Sequence, residues 1–252
     1  MNVIDTEAIR RRWTTARDAS VSNALLTRVG DRCVHVTVLP ADPAASVISE
    51  FTTEIREWWG NQTRDAPFAA RLPFDIDTST ATHLVRARRR GETWDSALAL
   101  GRDGSIVAGS SVPSCEVGDG FNTPQRCFRL RWLVGLTWIL VATTAASIER
   151  FGAEGPFQFS LRLEGTRGAE LGDVGDGWRE PGRGLYDTTG CGTETVEIVH
   201  EVTSWPTADD EIEQFALRVG GNIEDAFGWG ERRFLSRTGD HEGSLDLRQW
   251  RL

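Results

Sequence analysis

The sequence predicts an α+β fold: a mixed, mostly antiparallel sheet packed against a long buried helix and further amphipathic helices. Three observations predict it. Residues 132–148 form a 17-residue run without a charge. Short stretches of period-two apolar alternation recur on both sides of that run, the pattern of strands with one buried face. An Asp-Gly pair joins two of these stretches, which marks a hairpin because the turn needs positive φ where glycine costs least. The resulting order is helix, strand, helix, three strands, helix, two strands, helix. Segregation of this kind argues against a doubly wound parallel sheet.

The first element is a helix over residues 4–18, opened by acids and carrying Ile4, Ile9 and Trp13 as sparse apolar positions. With the linker to residue 30 it reads as a peripheral segment ahead of an α+β domain at 31–230 and a charged tail at 231–252. Cys33–Leu39 then alternates Val34, Val36 and Val38 against His35 and Thr37, and stops at Pro40. Asp42 as N-cap and Pro43 at the first helical position open a second helix. Ile48, Phe51, Ile55 and Trp58 form its core stripe, and Gly60 ends it. Residues 61–81 read as a loop. Strands follow at 83–90, 94–100 and 105–110, the last two joined by Arg102, Asp103 and Gly104.

After a loop at 111–126, a helix spans 127–150. Its uncharged run falls short of the roughly 20 apolar residues of a membrane span and contains Gly135, Thr137, Thr143, Thr144 and Ser147. It therefore reads as a core helix covered by the sheet on one side and by another helix on the other. Strands at 157–163 and 195–203 flank a long loop from Gly165 to Gly192 that holds nine glycines. A last helix begins at Thr207 as cap, with Asp210 in the capping-box position and Ile212, Phe215, Val219 and Ile223 as its stripe.

Composition narrows the chemistry. The chain has 252 residues, 28 cations against 37 acids and a formal charge of −9, and every one of the cations is arginine. A Schiff-base lysine, a P-loop lysine and a lysine general base are all excluded. Four cysteines, Cys33, Cys115, Cys127 and Cys191, show no CxxC spacing and no disulfide framework, which fits a reducing compartment. The opening residues have no apolar h-region of a secretory signal, so the expected location is the cytoplasm, with no membrane partner. Ten tryptophans against one tyrosine make large aromatics a main component of the core.

Several segments, taken together, resemble a known family. They are the opening DTEAIRRRW, the HVTVLPADP strand-to-helix junction, the LALGRDGSIVAG hairpin, the core helix followed by GPFQFSLRLEG, and VEIVHEVTSW running into an acidic helix. The chain resembles the C-terminal half of actinobacterial proteins that begin with a Schlafen-type AlbA domain, labelled ATP-binding or transcriptional regulators. The AlbA domain, which gives that family its nucleic-acid or nucleotide association, is absent from these residues. The resemblance implies an accessory module.

No constellation of residues points to an enzyme. Arg86, Arg88 and Arg90 alternate along one strand, about 6.6 Å apart, and so form a row able to contact an anion or a nucleic-acid backbone. The acidic balance of the chain favours a solvated or edge-protecting row instead. Arg10, Arg11 and Arg12 spread around a helix and form no face. His200 shares a face with Val196, Ile198 and Val202, as a hydrogen-bonded core residue does. Cys33 and His35 stand two apart on one strand, yet a structural zinc site wants four ligands and no second pair is spaced to supply them, so no metal is expected. Asp75 and Asp77 read as Asx-type turn residues, and Asp173 and Asp176 lack calcium-loop spacing. Cys191, between two glycines, is expected to be exposed and is reactive only beside a cation. No GxGxxG after a strand, Walker motif or GxSxG is present. No catalytic residue and no cofactor are expected. The leading function is a non-catalytic accessory or regulatory module making contacts with a protein partner or with its own copy. The alternatives are a nucleic-acid-contacting module using Arg86, Arg88 and Arg90, and a small-ligand sensor with its pocket under the glycine-rich loop.

Overall fold

The computed structural model describes residues 6–23, 33–43, 45–62, 76–90, 93–111, 115–118, 124–172 and 191–228. In chain order its elements are α1 (Thr6–Asn23), β1 (Cys33–Leu39), α2 (Thr53–Asn61), β2 (Ile76–Ser79), β3 (His83–Arg90), β4 (Thr93–Gly101) and β5 (Ile106–Ser111). They continue with β6 (Cys115–Gly118), β7 (Pro124–Arg129), α3 (Leu130–Phe151), β8 (Phe157–Glu164), β9 (Glu170–Gly172), β10 (Thr195–Val202) and α4 (Asp209–Ala226). Seven strands make one sheet in the order β10-β8-β1-β5-β4-β3-β2, and every pairing in it is antiparallel. A smaller sheet, β6-β7-β9, contains one parallel pair. The predicted α+β class is the observed one.

Helix α3 sits where its composition puts it. Leu133, Val134, Leu136, Leu140 and Val141 are almost wholly buried, against Val36, Leu98 and Leu161 of the sheet and Phe215 and Val219 of α4. Two of its buried hydroxyls are satisfied within the helix, while Ser147 Oγ is buried without a partner among the described residues. Thr137 Oγ1 donates to Leu133 O at 2.9 Å and Thr144 Oγ1 to Leu140 O at 2.7 Å, so neither threonine needs a wet face. The window Trp132–Phe151 is the one helix among the described residues long and apolar enough to cross a membrane, and 72% of it is buried inside the protein.

The opposite face of the sheet is covered by α1. Trp13 is 1% exposed, packs with Ile9 and Leu39, and donates its indole N–H to Pro40 O at 2.7 Å. Thr37 and Leu39 of β1 are therefore as buried as Val34, Val36 and Val38, so this end of the strand is covered on both faces, while His35 stays partly exposed.

Several boundaries differ from expectation for identifiable reasons. The second helix begins at Thr52, whose hydroxyl accepts from Ile55 N, and not at Asp42. Residues 45–50 are irregular because Val47 N and Ile48 N both donate to Arg102 O at 2.9 Å, tying the backbone to the β4–β5 turn. Gly104 at the tip of that turn has φ +82, and a Cβ there would lie 2.9 Å from Ala153 Cβ, so both conformation and close approach select glycine. The cap of α4 is Ala208, and Glu211 fills the box position by accepting from Thr207 N and Ala208 N at 3.2 and 3.4 Å. Residues 76–79, 115–118, 124–129 and 170–172 are strands within stretches expected to be loop or helix. The charged tail at 231–252 and Ile4 lie outside the described residues.

Leu136→Ala should cost about 2–5 kcal/mol in urea unfolding, the range for an emptied core leucine. Arg11→Ala, which breaks only an exposed pair with Glu7, should stay within about 0.5 kcal/mol. Equal costs for the two would contradict the packing of α3.

Candidate functional site

Antiparallel pairing brings together residues far apart in the chain on the face that α1 only partly covers. On β1, Cys33 and His35 are two apart and so point the same way. The register Val34↔Leu163 and His35↔Arg162 sets β8 alongside, with Glu164 next to Cys33. Cys33 Sγ lies 3.0 Å from His35 Nε2 and 3.6 Å from Glu164 Oε2. Glu164 uses its other oxygen, Oε1, in an ion pair with Arg162 Nε at 3.0 Å. Cys33 is buried, whereas His35, Arg162 and Glu164 are partly exposed.

The protons of this group follow from its geometry. Cys33 directs its thiol proton toward Glu164, which leaves a sulfur lone pair to accept from His35 Nε2–H. His35 Nδ1 is then bare and, among the described residues, buried without a partner. Burial lowers the proton affinity of His35, opposed by Glu164 and reinforced by Arg162. Its ring is neutral at neutral pH. A thiol, an imidazole and a carboxylate within 4.8 Å of one another form a mixed S, N, O donor set. The sequence reading had the Cys33–His35 pair but not Glu164, which lies 131 residues away and is placed only by the β1–β8 register.

The arginine row is divided. Arg86 is mostly buried, donates Nε to Asp77 Oδ1 at 2.8 Å and also donates to Gly60 O at 2.8 Å. Arg88 is half exposed and sits 3.9 Å from Asp95. The register shifts between Arg88 and Arg89, which interrupts the alternation, and the side chain of Arg90 lies outside the described residues. At Arg86 the strand is not an edge, because β2 pairs outside Leu84–Ala87, and that pairing stops short of Arg88 and Arg90. Asp77 is a strand residue and not an Asx turn. The neighbouring turn is held by Thr80 Oγ1, which accepts from Thr82 N and His83 N. Asp75, Asp173 and Asp176 lie outside the described residues.

His200 is a hydrogen-bonded, partly buried residue, as its strand face implies. Its Nε2 is 3.0 Å from Asn222 Nδ2, and its ring packs on Phe159 and Phe215. Cys191 is buried and not exposed, against the expectation from its glycine neighbours. Burial raises its pKa, but hydrogen bonds with Thr193 and Thr166 outweigh this and lower it overall. Among the described residues no cation acts on it. His83, missed as a site residue, is buried, bonds Thr82 Oγ1 through Nδ1 at 2.8 Å, and has Nε2 without a partner among the described residues.

The outer edge of the sheet offers a different kind of site. Among the described residues β10 pairs only with β8. Glu197 and Glu201 on its α1 side are held by Arg17 and Arg10, the latter at 2.5 Å, and Val199 lies between them, 45% exposed. Comparison of the chain with protein-family models, curated proteins and solved structures finds no match.

Burial lowers the proton affinity of His35, His83 and His200 alike, with Arg218 adding to the effect at His200. Below the ordinary histidine value of about 6.5 the unfolded chain binds these protons and the folded chain resists them, so stability is lost as pH falls through that value. Glu201, lowered by its bond to Arg10, acts only below the ordinary glutamate range of about 4.3. Urea midpoints should therefore drop between pH 7.5 and 5.5, and His83→Gln should flatten that slope. A flat profile for the parent chain would contradict buried neutral histidines.

Proposed function

We propose that the chain is a non-catalytic accessory or regulatory module that works by contacting another protein chain along the open edge of its seven-stranded sheet. The observation that supports this reading is β10. Its eight residues, Thr195–Val202, include no proline or lysine, pair on one side only among the described residues, and carry the exposed Val199. An edge of this length presents a row of N–H and C=O groups able to take a further strand. Val199 gives that strand an apolar contact. Glu197 and Glu201, each already held by an α1 arginine, leave the approach near neutral although the chain carries a charge of −9.

The resemblance to the C-terminal half of Schlafen-type AlbA proteins supplies the first partner to test, an AlbA domain. A second copy of this chain is the other. Sedimentation velocity of the chain alone, and of its mixture with such a domain, should reveal a heavier species in at least one case. Val199→Lys should remove it, because a charge on an edge strand opposes pairing, while the unfolding free energy from urea titration changes by no more than about 0.5 kcal/mol. A monomer in both experiments defeats the reading. Association that survives Val199→Lys moves it away from β10.

A further inference from the structure

We propose that Cys33, His35 and Glu164 bind a borderline-soft divalent ion, zinc by the chemistry of the donors, with three protein ligands and a fourth position for water or an external ligand. Thiolate, imidazole and carboxylate are the usual ligands of zinc, and three of them with one open position is the arrangement of reactive rather than purely structural sites. Softer thiolate ligation disfavours calcium and magnesium, which prefer an all-oxygen shell.

Distances decide how much must move. Tetrahedral bonds of about 2.3 Å to sulfur and about 2.1 Å to nitrogen or oxygen place neighbouring donors about 3.6 Å apart. The separation of Cys33 Sγ from Glu164 Oε2 is already 3.6 Å. That of Sγ from His35 Nε2 is 3.0 Å and has to open by about 0.6 Å, within reach of χ adjustments. All three residues stand on paired strands of one sheet, so the donors are positioned before an ion arrives.

The surroundings fit a cation. Arg162 fixes Glu164 through Oε1 and leaves Oε2 on the thiol side, the type of outer contact that orients a ligating carboxylate. A thiolate and a carboxylate together balance a charge of +2, and the neutral imidazole has a lone pair to give. Binding at Nε2 shifts the ring proton to Nδ1, which is buried without a partner among the described residues. This, with Arg162 nearby, makes the site weaker than a four-ligand structural one.

Cobalt(II) is the probe, because its bond to a thiolate gives a charge-transfer absorption that reports the sulfur directly. The untagged, reduced, chelator-treated full chain is titrated with Co²⁺. One equivalent should bind with that band and be displaced by Zn²⁺. Cys33→Ser should abolish the band, and Cys191→Ser should leave it. Glu164→Gln, at a partly exposed position that tolerates the change, should weaken binding roughly tenfold or more while keeping the band. A folded chain that shows no band, a band that survives Cys33→Ser, or an affinity unchanged in Glu164→Gln would each overturn the site. Should Cys33→Ser fail to fold, Glu164→Gln decides by itself.

Discussion

Helix α3 has no polar side, and most of the architecture follows from covering it. Its leucines and valines need apolar cover around nearly the whole circumference. One flank takes the inner face of the seven-stranded sheet and another takes α4, whose Phe215 meets Phe159 edge-on at 5.2 Å and packs beside Trp205 at 5.9 Å. Trp205 closes the arrangement by donating its indole N–H to Val141 O at 3.0 Å, so even the polar atom of this cover is bonded to the helix it covers. Thr137 and Thr144 inside α3 are tolerated because they return their protons to the preceding turn.

With α2, α3 and α4 on one face, the other face of the sheet has, among the described residues, only the helix α1. Its buried contacts are confined to a narrow strip: Ile9 and Trp13 against Leu39, and Val21 toward the small residues Ala97 and Ala99. The margin of that face, where β1, β8 and β10 run together, is left partly open. Polar residues collect there: His35, Arg162, Glu164 and Glu197 lie on adjacent strands, with Cys33 at the inner border. A fully covered face would have exacted a large desolvation penalty for these groups, so the donor set near Cys33 depends on α1 being a single helix.

The parts of this fold that were legible in the sequence are those whose pattern is local. The β4–β5 hairpin follows from Asp103-Gly104 between alternating runs, and the stripe of α4 from Ile212, Phe215, Val219 and Ile223, all buried. The second helix was misplaced because Asp42-Pro43 is a sound start signal in isolation, while the backbone at Val47 and Ile48 is captured by Arg102 O from a distant turn. Strands β2, β6, β7 and β9 are three to six residues long, too short for a period, and exist because a neighbour offers its edge. The same limit hid Glu164. Cys33 and His35 are neighbours in any strand, but the carboxylate arrives through register alone.

Arginine accounts for the electrostatics that remain. Arg10, Arg17, Arg86 and Arg150 each hold a carboxylate from another element: Glu201, Glu197, Asp77 and Glu54. The guanidinium fork suits such contacts, and a planar group can also lie against rings, as Arg150 does over Trp58 at 5.3 Å from its centroid. Exposed pairs of this kind add little stability, so α1 is held by burial of Trp13 and not by its two clasps on β10. Those clasps instead set the surface beside the open edge. Arg162 lies opposite Glu197 on one side and opposite His35 on the other, which puts the edge strand and the thiol group one strand apart. Substitutions at β10 therefore have to keep Glu197 and Arg162 intact if edge pairing is to be separated from events at Cys33. Val199 meets that condition, since its register partner is Ser160 and it makes no ion pair.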